Sequence, residues 1–201
     1  MGRSPVTRPS LLLRLRDVDD EVAWSEFVQL YTPLIFGHCR RHGLQEADAA
    51  DVAQEVMRVA AQAMPDFNYD THRGKFRGWM LQTTRHRLYK FFARQKRDPQ
   101  NASETTVERF LDQEPSVEEQ TRWQDDYRQR MFEWAVEKVR PEFQPTTWDA
   151  FWLTAMESVS VKDVAGQVGI SIGAVYIARS RVIARLRELV ETASDEPVMN
   201  L

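Results

Sequence analysis

The sequence of 201 residues contains a single cysteine, Cys39, which excludes an internal disulfide framework and any zinc site built from several cysteines. Glycine is scarce, at 8 residues, and no segment shows the alternation of polar and apolar residues that indicates a strand. Helix-forming residues dominate the rest of the chain. These features together predict an all-α protein.

Long apolar runs are also missing. The early run at residues 11–13 is cut short by Arg14 and Arg16, so it does not fit a secretory signal. Nothing approaches the roughly 20 apolar residues that a membrane helix requires. These absences predict a soluble protein of the cytoplasm that has no membrane partner.

Acidic residues are absent from residues 72–97, which carry nine Lys and Arg, two His and five aromatic residues. The formal net charge of the whole chain is nevertheless -3. A packed core has no use for so much unpaired charge, because burying it is too costly. A partner that carries negative phosphates and flat bases fits this segment, so we predict contact with nucleic acid.

The sign of the charge reverses after the basic segment. Residues 98–126 contain nine acids against Arg109 and Arg122, together with prolines and small polar residues, a composition typical of a solvated linker. We predict two small helical domains, at residues 10–97 and 123–191, joined by an acidic flexible linker at 98–122. The second domain is expected to begin with a helix that covers residues 123–139.

Three helices are predicted in the first domain. The first is capped by Asp19 or Asp20, is broken or kinked at Pro33 and ends at Gly43. The second covers about residues 46–64, and the third is the basic helix. At about 100° per residue, the third helix has an apolar core stripe opposite a polar, cationic and aromatic face. The stripe comprises Phe76, Met80, Thr84, Leu88, Phe91 and Phe92.

The second domain contains the most specific local motif of the chain, at residues 161–189. The small Ala165 permits close helix packing, Gly169 supplies a turn, and Ser171 caps the following helix. This spacing is the helix-turn-helix pattern, whose second helix enters the DNA major groove. Four arginines and no acid follow Ser171 up to Arg187, which disfavours a use other than DNA binding. The face opposite the core comprises Gly173, Tyr176, Ile177, Ser180, Arg181 and Ala184, and Arg179 falls close to the core edge.

Three segments, in order, resemble those of one family, the small bacterial RNA polymerase sigma factors of the extracytoplasmic-function type. They are DAADVAQEVMRVA (48–60), KFRGWMLQTTRHRLYKFFARQKR (75–97) and VGISIGAVYIARSRVIARLRE (168–188). The resemblance covers nearly the whole chain. It implies a transcription initiation factor and not an enzyme, made of a region 2-like bundle, the linker and a region 4-like helix-turn-helix domain.

The resemblance also implies which residues act. The residues that would bind core polymerase, through its beta and beta-prime subunits, are Asp48, Asp51, Gln54 and Glu55. Those that would bind and melt the minus-ten element are Phe67, Asn68, Tyr69, Lys75, Trp79, Gln82, His86, Tyr89, Lys90, Lys96 and Arg97. Those that would read the upstream, minus-thirty-five element are Ser171, Gly173, Tyr176, Ile177, Ser180 and Arg181. For Trp79, core packing and a wedge in DNA both stay open.

Two patterns in the sequence could bind a metal ion. HCRRH at residues 38–42 places two histidines four residues apart, a spacing that can hold zinc. It lacks the glutamate of a metalloprotease, so we favour two histidines whose positive charge is stabilised by a helix C-terminus. Asp48, Asp51 and Glu55 have a spacing that could bind magnesium, but no second acidic cluster accompanies them. We predict no metal, no cofactor and no catalytic residue.

The alternative function is a stand-alone helix-turn-helix regulator that binds DNA as a dimer. The basic helix of the first domain has no role in such a protein. We therefore predict a chain that is monomeric when free and whose partners are core RNA polymerase and promoter DNA. The resemblance implies an anti-sigma protein as a further partner.

Overall fold

The structure is a computed structural model that describes residues 11–66, 76–95 and 114–193. Within these ranges the chain forms helices and no strand, which confirms the all-α prediction. It divides into two compact units, Met1–Arg130 and Met131–Leu201. The α-helices are α1 (Leu11–Arg14), α2 (Glu21–Arg41), α3 (Glu46–Ala63), α4 (Phe76–Gln95), α5 (Val117–Val139), α6 (Pro145–Ala155), α7 (Val161–Val168) and α8 (Ile172–Ala193), with short 3-10 helices at Met64–Asp66 and Arg140–Glu142.

Helix α2 begins at a side-chain cap and continues past its proline. Of the two candidate caps, Asp20 is the one used, and its Oδ1 accepts a hydrogen bond from the Ala23 backbone N–H at 2.9 Å. Arg14 donates two further hydrogen bonds to the same carboxylate. The helix continues through Pro33 without a break, since Pro33 removes only one backbone donor while its neighbours Leu34 and Ile35 are buried.

Helices α2, α3 and α4 pack together as the core of the first unit. Helix α3 buries a stripe of small residues, which allows close packing: Ala49, Val52, Ala53, Val56 and Ala60. Three aromatic rings fill the space between α2 and α4. The ring centroid of Phe27 lies 4.8 Å from that of Tyr31 and 6.0 Å from that of Phe76.

Helix α5 begins at Val117, six residues before the predicted helix, and spans the division between the two units. Trp123 and Tyr127 lie four residues apart and are both buried in the first unit, which extends to Arg130. The observed boundary therefore lies beyond the predicted one at residue 123, because two aromatic side chains hold the start of α5 on the first unit. Residues 98–113 of the predicted linker lie outside the described residues.

The second unit contains the helix-turn-helix elements α7 and α8 on a support that includes α6. Gly169 ends α7 in the left-handed region, at φ 74°, where glycine has no steric penalty. The small core around this turn comprises Ala150, Val164, Val175 and Ala178, with Ile170 packed against it. None of the helices described in either unit combines the length and apolar character needed to cross a membrane.

Candidate nucleic-acid interface

The basic helix α4 presents a buried and an exposed side, as predicted, but the division differs in detail. Phe76, Met80, Thr84 and Leu88 are buried. Phe91 and Phe92, at the end of the predicted stripe, are only half-buried and contact each other edge to face with ring centroids 5.8 Å apart. The core stripe of α4 is therefore confirmed for its first three turns.

A groove between α3 and α4 collects several of the residues predicted to bind the minus-ten element. Its volume is about 280 Å³, and its lining residues are Val59, Trp79, Gln82, Thr83, His86 and Arg87. Trp79 is half-buried, and its ring centroid lies 5.5 Å from that of Phe76, so it packs on the core and faces the groove. Burial lowers the pKa of His86, and the charges of Lys90 and Arg87 lower it further. The groove thus combines an aromatic face with amide, imidazole and guanidinium groups.

These groups are of the kinds that bind an unstacked base. Aromatic rings stack on bases of any sequence, and amide or imidazole groups hydrogen-bond to base edges. Along the same helix, Tyr89 is half-buried and Lys90 is exposed. The other predicted minus-ten residues lie outside the described residues; they are Phe67, Asn68, Tyr69, Lys75, Lys96 and Arg97.

Two arginines of the basic segment are buried within the first unit, which corrects the expectation that its charge stays out of the core. Arg77 and Arg85 are 5% and 6% exposed. Arg77 donates a hydrogen bond to Gln124 Oε1 at 2.8 Å, and its guanidinium carbon lies 4.5 Å from the ring centroid of Tyr127. Arg85 Nε lies 3.4 Å from Glu119 Oε2. Part of the positive charge therefore holds the start of α5, most of which lies within the predicted linker.

The predicted polymerase-binding residues share helix α3 but have different surroundings. Asp51 and Gln54 are exposed, and Asp48 is half-buried. Glu55 lies near α4, with its oxygens 3.7 Å from Arg87 Nη1 and 3.8 Å from Arg94 Nη1. Asp51 and Gln54 are therefore available to a partner, whereas Glu55 is engaged within the unit.

The predicted groove-facing residues of α8 all lie on its exposed side. Tyr176 and Ile177 are 55% and 62% exposed, an unusual degree for large apolar side chains. Ser171 Oγ accepts a hydrogen bond from the Ala174 backbone N–H at 3.1 Å, which confirms the predicted cap. The remaining members of the predicted set, Gly173, Ser180 and Arg181, are exposed as well.

Two other arginines of α8 differ from the expectation. Arg179 is exposed, so the prediction that it lies near the core edge is wrong. Arg185 donates hydrogen bonds of 2.6 and 2.8 Å to the two carboxylate oxygens of Glu142. These bonds lower the pKa of Glu142 and raise that of Arg185. Arg185 therefore fixes α8 within the second unit, a long-range pairing that helical periodicity does not reveal.

The histidines of α2 also differ from their predicted state. His38 is 3% exposed, and burial, followed by the charges of His42, Arg41 and Arg85, lowers its pKa to about 3. Burial likewise lowers the pKa of His42. His38 is therefore neutral near pH 7, and the interpretation that a helix C-terminus stabilises its positive charge is wrong, because desolvation outweighs that effect.

Comparison with known proteins matches part of the first unit to a family. The sigma-70 region 2 family matches residues 27–98, which include most of α2 and all of α3 and α4. No curated protein matches the chain. Among solved structures, the chain is similar to CnrH in complex with the cytosolic domain of CnrY, with 18% identity over 92% of this chain and 97% of that one. The TM-score of this match is 0.36. Residues 27–98 therefore match sigma-70 region 2, in agreement with the predicted resemblance of this segment to sigma factors.

Proposed function

We propose that the chain is a sigma factor, which binds core RNA polymerase through α3, opens the minus-ten element along α4 and reads the minus-thirty-five element with α8. The observation that carries the proposal is the region 2 match at residues 27–98, within which α3 exposes acids and α4 borders a groove. The proposed function requires no catalytic residue. An anti-sigma protein is a further partner that we propose on the resemblance alone.

Docking on the polymerase is assigned to Asp51 and Gln54. Both are exposed and lie three residues apart, so they project from the same side of α3 within one turn. A carboxylate and an amide in this arrangement suit an arginine-rich surface, because hydrogen bonds to charged groups are shorter and stronger than neutral ones. Asp48, half-buried one turn earlier, adds negative charge to the same helix.

Opening of the minus-ten element is assigned to the groove beside α4. A separated base loses its pairing and stacking, and the protein must replace both. Trp79 offers a ring for stacking, while Gln82 and His86 offer hydrogen-bonding groups in the same groove. Lys90, which is exposed, lies one turn beyond His86 on α4 and supplies positive charge for the phosphate backbone.

Reading of the minus-thirty-five element is assigned to the N-terminal half of α8. A recognition helix contacts base edges with residues near its N-terminus. The absence of a side chain at Gly173 lets the helix approach the DNA backbone closely, and Tyr176 is exposed one turn later. Arg181 is exposed and has the donor geometry for a guanine edge.

The function as a whole is tested with purified chain and core RNA polymerase. We expect the two to comigrate on size exclusion, and the free chain to elute as a monomer. Transcription from fragmented genomic DNA, with the transcript 5′ ends sequenced, should then yield starts that share two upstream sequence elements. A free chain that elutes as a dimer and does not comigrate with polymerase would instead support the stand-alone regulator.

Replacement of Arg181 distinguishes base reading from contact with the phosphate backbone. If it reads a base, Arg181→Ala should weaken holoenzyme binding by about 1–3 kcal/mol and relax the preference at one base pair. Binding to a set of single-base promoter variants at several salt concentrations measures both effects. Arg187→Ala is the control, since Arg187 is exposed on the same helix but nearly two turns further from its N-terminus. Equal weakening on every variant promoter, with a reduced salt dependence, would reassign Arg181 to the phosphate backbone.

A further inference from the structure

We propose that His38, His42 and Glu119 form a binding site for a divalent transition-metal ion, and that Zn²⁺ is the ion that the three donors fit. His38 lies in the last turn of α2, His42 is the C-cap residue of the same helix, and Glu119 lies in the first turn of α5. The spacing of the histidines was visible in the sequence. The third ligand was not, because Glu119 lies far away in sequence and inside the segment assigned to the linker.

The distances between the donor atoms suit one ion. Glu119 Oε1 lies 3.5 Å from His38 Nε2 and 3.9 Å from His42 Nε2. One ligand atom from each of the three residues can be chosen so that all lie within 4.8 Å of one another. Bonds of about 2.0–2.1 Å to a tetrahedral zinc place neighbouring ligand atoms about 3.3–3.5 Å apart. A small rotation of the half-exposed His42 ring therefore completes the site.

The buried imidazole of His38 gives an independent reason for a ligand. Its Nε2 is buried and has no hydrogen-bond partner among the described residues, although it points towards Glu119. A buried polar atom without a partner is rare and costly, and a metal ion would supply the missing interaction. The side chain of His42 is 44% exposed, so the same place is open to solvent. An ion can enter there, and water can complete its coordination.

The residues around the three donors hold them in place. Glu119 Oε2 lies near Arg85 Nε, at 3.4 Å, which leaves Oε1 for the histidines. The ring of His38 packs edge to face on Trp123, with ring centroids 5.4 Å apart. Outer contacts of this kind orient metal ligands and are part of a site's affinity.

The donor set selects the ion. Imidazole and carboxylate together suit Zn²⁺ and other late first-row ions, whereas Mg²⁺ and Ca²⁺ require oxygen ligands. Three guanidiniums lie close enough to influence His42 or His38, those of Arg41, Arg85 and Arg122. Arg41 is paired with Asp126, and Arg85 contacts Glu119, so part of this positive charge is compensated. The remaining repulsion predicts weaker binding than at a site built from thiolates.

Zinc at this site would join the end of α2 to the start of α5. The first unit holds α5 through Trp123, Tyr127 and the buried arginines, and the ion would add a link one turn closer to the N-terminus of α5. An ion that binds only this folded arrangement stabilises it in proportion to its occupancy. The inference does not depend on the proposed function, since it concerns a contact within one unit.

The test uses the full chain, stripped of metal and titrated at neutral pH with Zn²⁺ against a chromophoric chelator. We expect one Zn²⁺ per chain, and Glu119→Gln and His42→Ala should each weaken binding at least about tenfold. Co²⁺ should show visible d–d bands that both variants lose, and neither Mg²⁺ nor Ca²⁺ should compete. Hydrogen exchange in the first turns of α5 should slow with Zn²⁺ in the parent but not in Glu119→Gln.

Two control variants make the result decisive. Glu118→Gln removes the neighbouring, exposed carboxylate and should leave the zinc affinity unchanged. Cys39→Ala removes the buried thiol next to His38 and should also leave it unchanged. Zinc binding that survives Glu119→Gln undiminished, or that disappears with Cys39→Ala alone, would overturn the site. Circular dichroism of each variant confirms that the helices are retained.

Discussion

Replacing Asp51 by arginine is expected to lower the affinity of the chain for core RNA polymerase by about a hundredfold or more. A hydrogen bond to a charged group contributes about 1.5–3 kcal/mol, and reversing the charge adds repulsion from an arginine-rich partner. About 2.7 kcal/mol corresponds to a hundredfold change in the dissociation constant. Titration of labelled chain with core enzyme measures the loss directly, and circular dichroism shows whether helix α3 is retained.

The structure favours Asp51 over Glu55 as the residue to replace in this test. Glu55 lies within 4 Å of Arg87 and Arg94, so an arginine there would repel α4 and disturb the unit itself. Glu137→Arg is the matched control, because it makes the same change of charge at an exposed residue of the second unit. Equal affinity of Asp51→Arg and Glu137→Arg for the core enzyme would remove α3 from the docking surface.

The elements of the fold that were predicted well are those whose signals are local in sequence. The turn between α7 and α8 needs a residue that tolerates positive φ and then a cap, and Gly169 and Ser171 meet these needs within three positions. The buried stripe of α3 follows from helical periodicity alone, and Val52, Val56 and Ala60 are buried as expected.

The features that were not predicted depend on partners that are distant in sequence. Arg77 and Arg85 belong to a segment with no acid of its own, so a count of charges places them outside. Their partners Gln124 and Glu119 lie more than thirty residues later, on a helix whose start was assigned to the linker. Periodicity shows which side of a helix is apolar, but it does not show which other helix packs against that side.

Dependence on a distant partner also explains why the protonation state of His38 was not predicted. The sequence places His38 near a helix end, where the dipole favours a positive charge. It does not show that Trp123 covers the ring, and desolvation then decides the protonation state. In the candidate interfaces, helical periodicity is enough to predict the exposed residues of α3 and α8. The groove beside α4 could not be predicted in this way, because it forms only where Val59 of α3 lies near Trp79 of α4.

Replacing Trp79 by leucine is expected to impair promoter opening while closed-promoter binding persists. Stacking of a base on an aromatic side chain contributes about 1–3 kcal/mol, so loss of one such contact should lower the opening equilibrium roughly five- to 150-fold. Leucine keeps much of the apolar contact with Phe76 but offers no ring to a base. Permanganate reactivity of promoter thymines, measured with reconstituted holoenzyme, reports the open fraction, and protection of the upstream element reports closed binding.

Trp24→Leu is the matched control for this change. Trp24 is also half-buried in the first unit, and its ring centroid lies 5.9 Å from that of Phe27, much as Trp79 lies beside Phe76. The two variants therefore lose similar packing, but Trp24 does not line the groove beside α4. If both open the promoter equally well, or both fail equally, Trp79 acts only as a core residue. If Trp79→Leu alone leaves the thymines unreactive, the tryptophan holds a base of the separated strand, because loss of packing common to both variants cannot produce the difference.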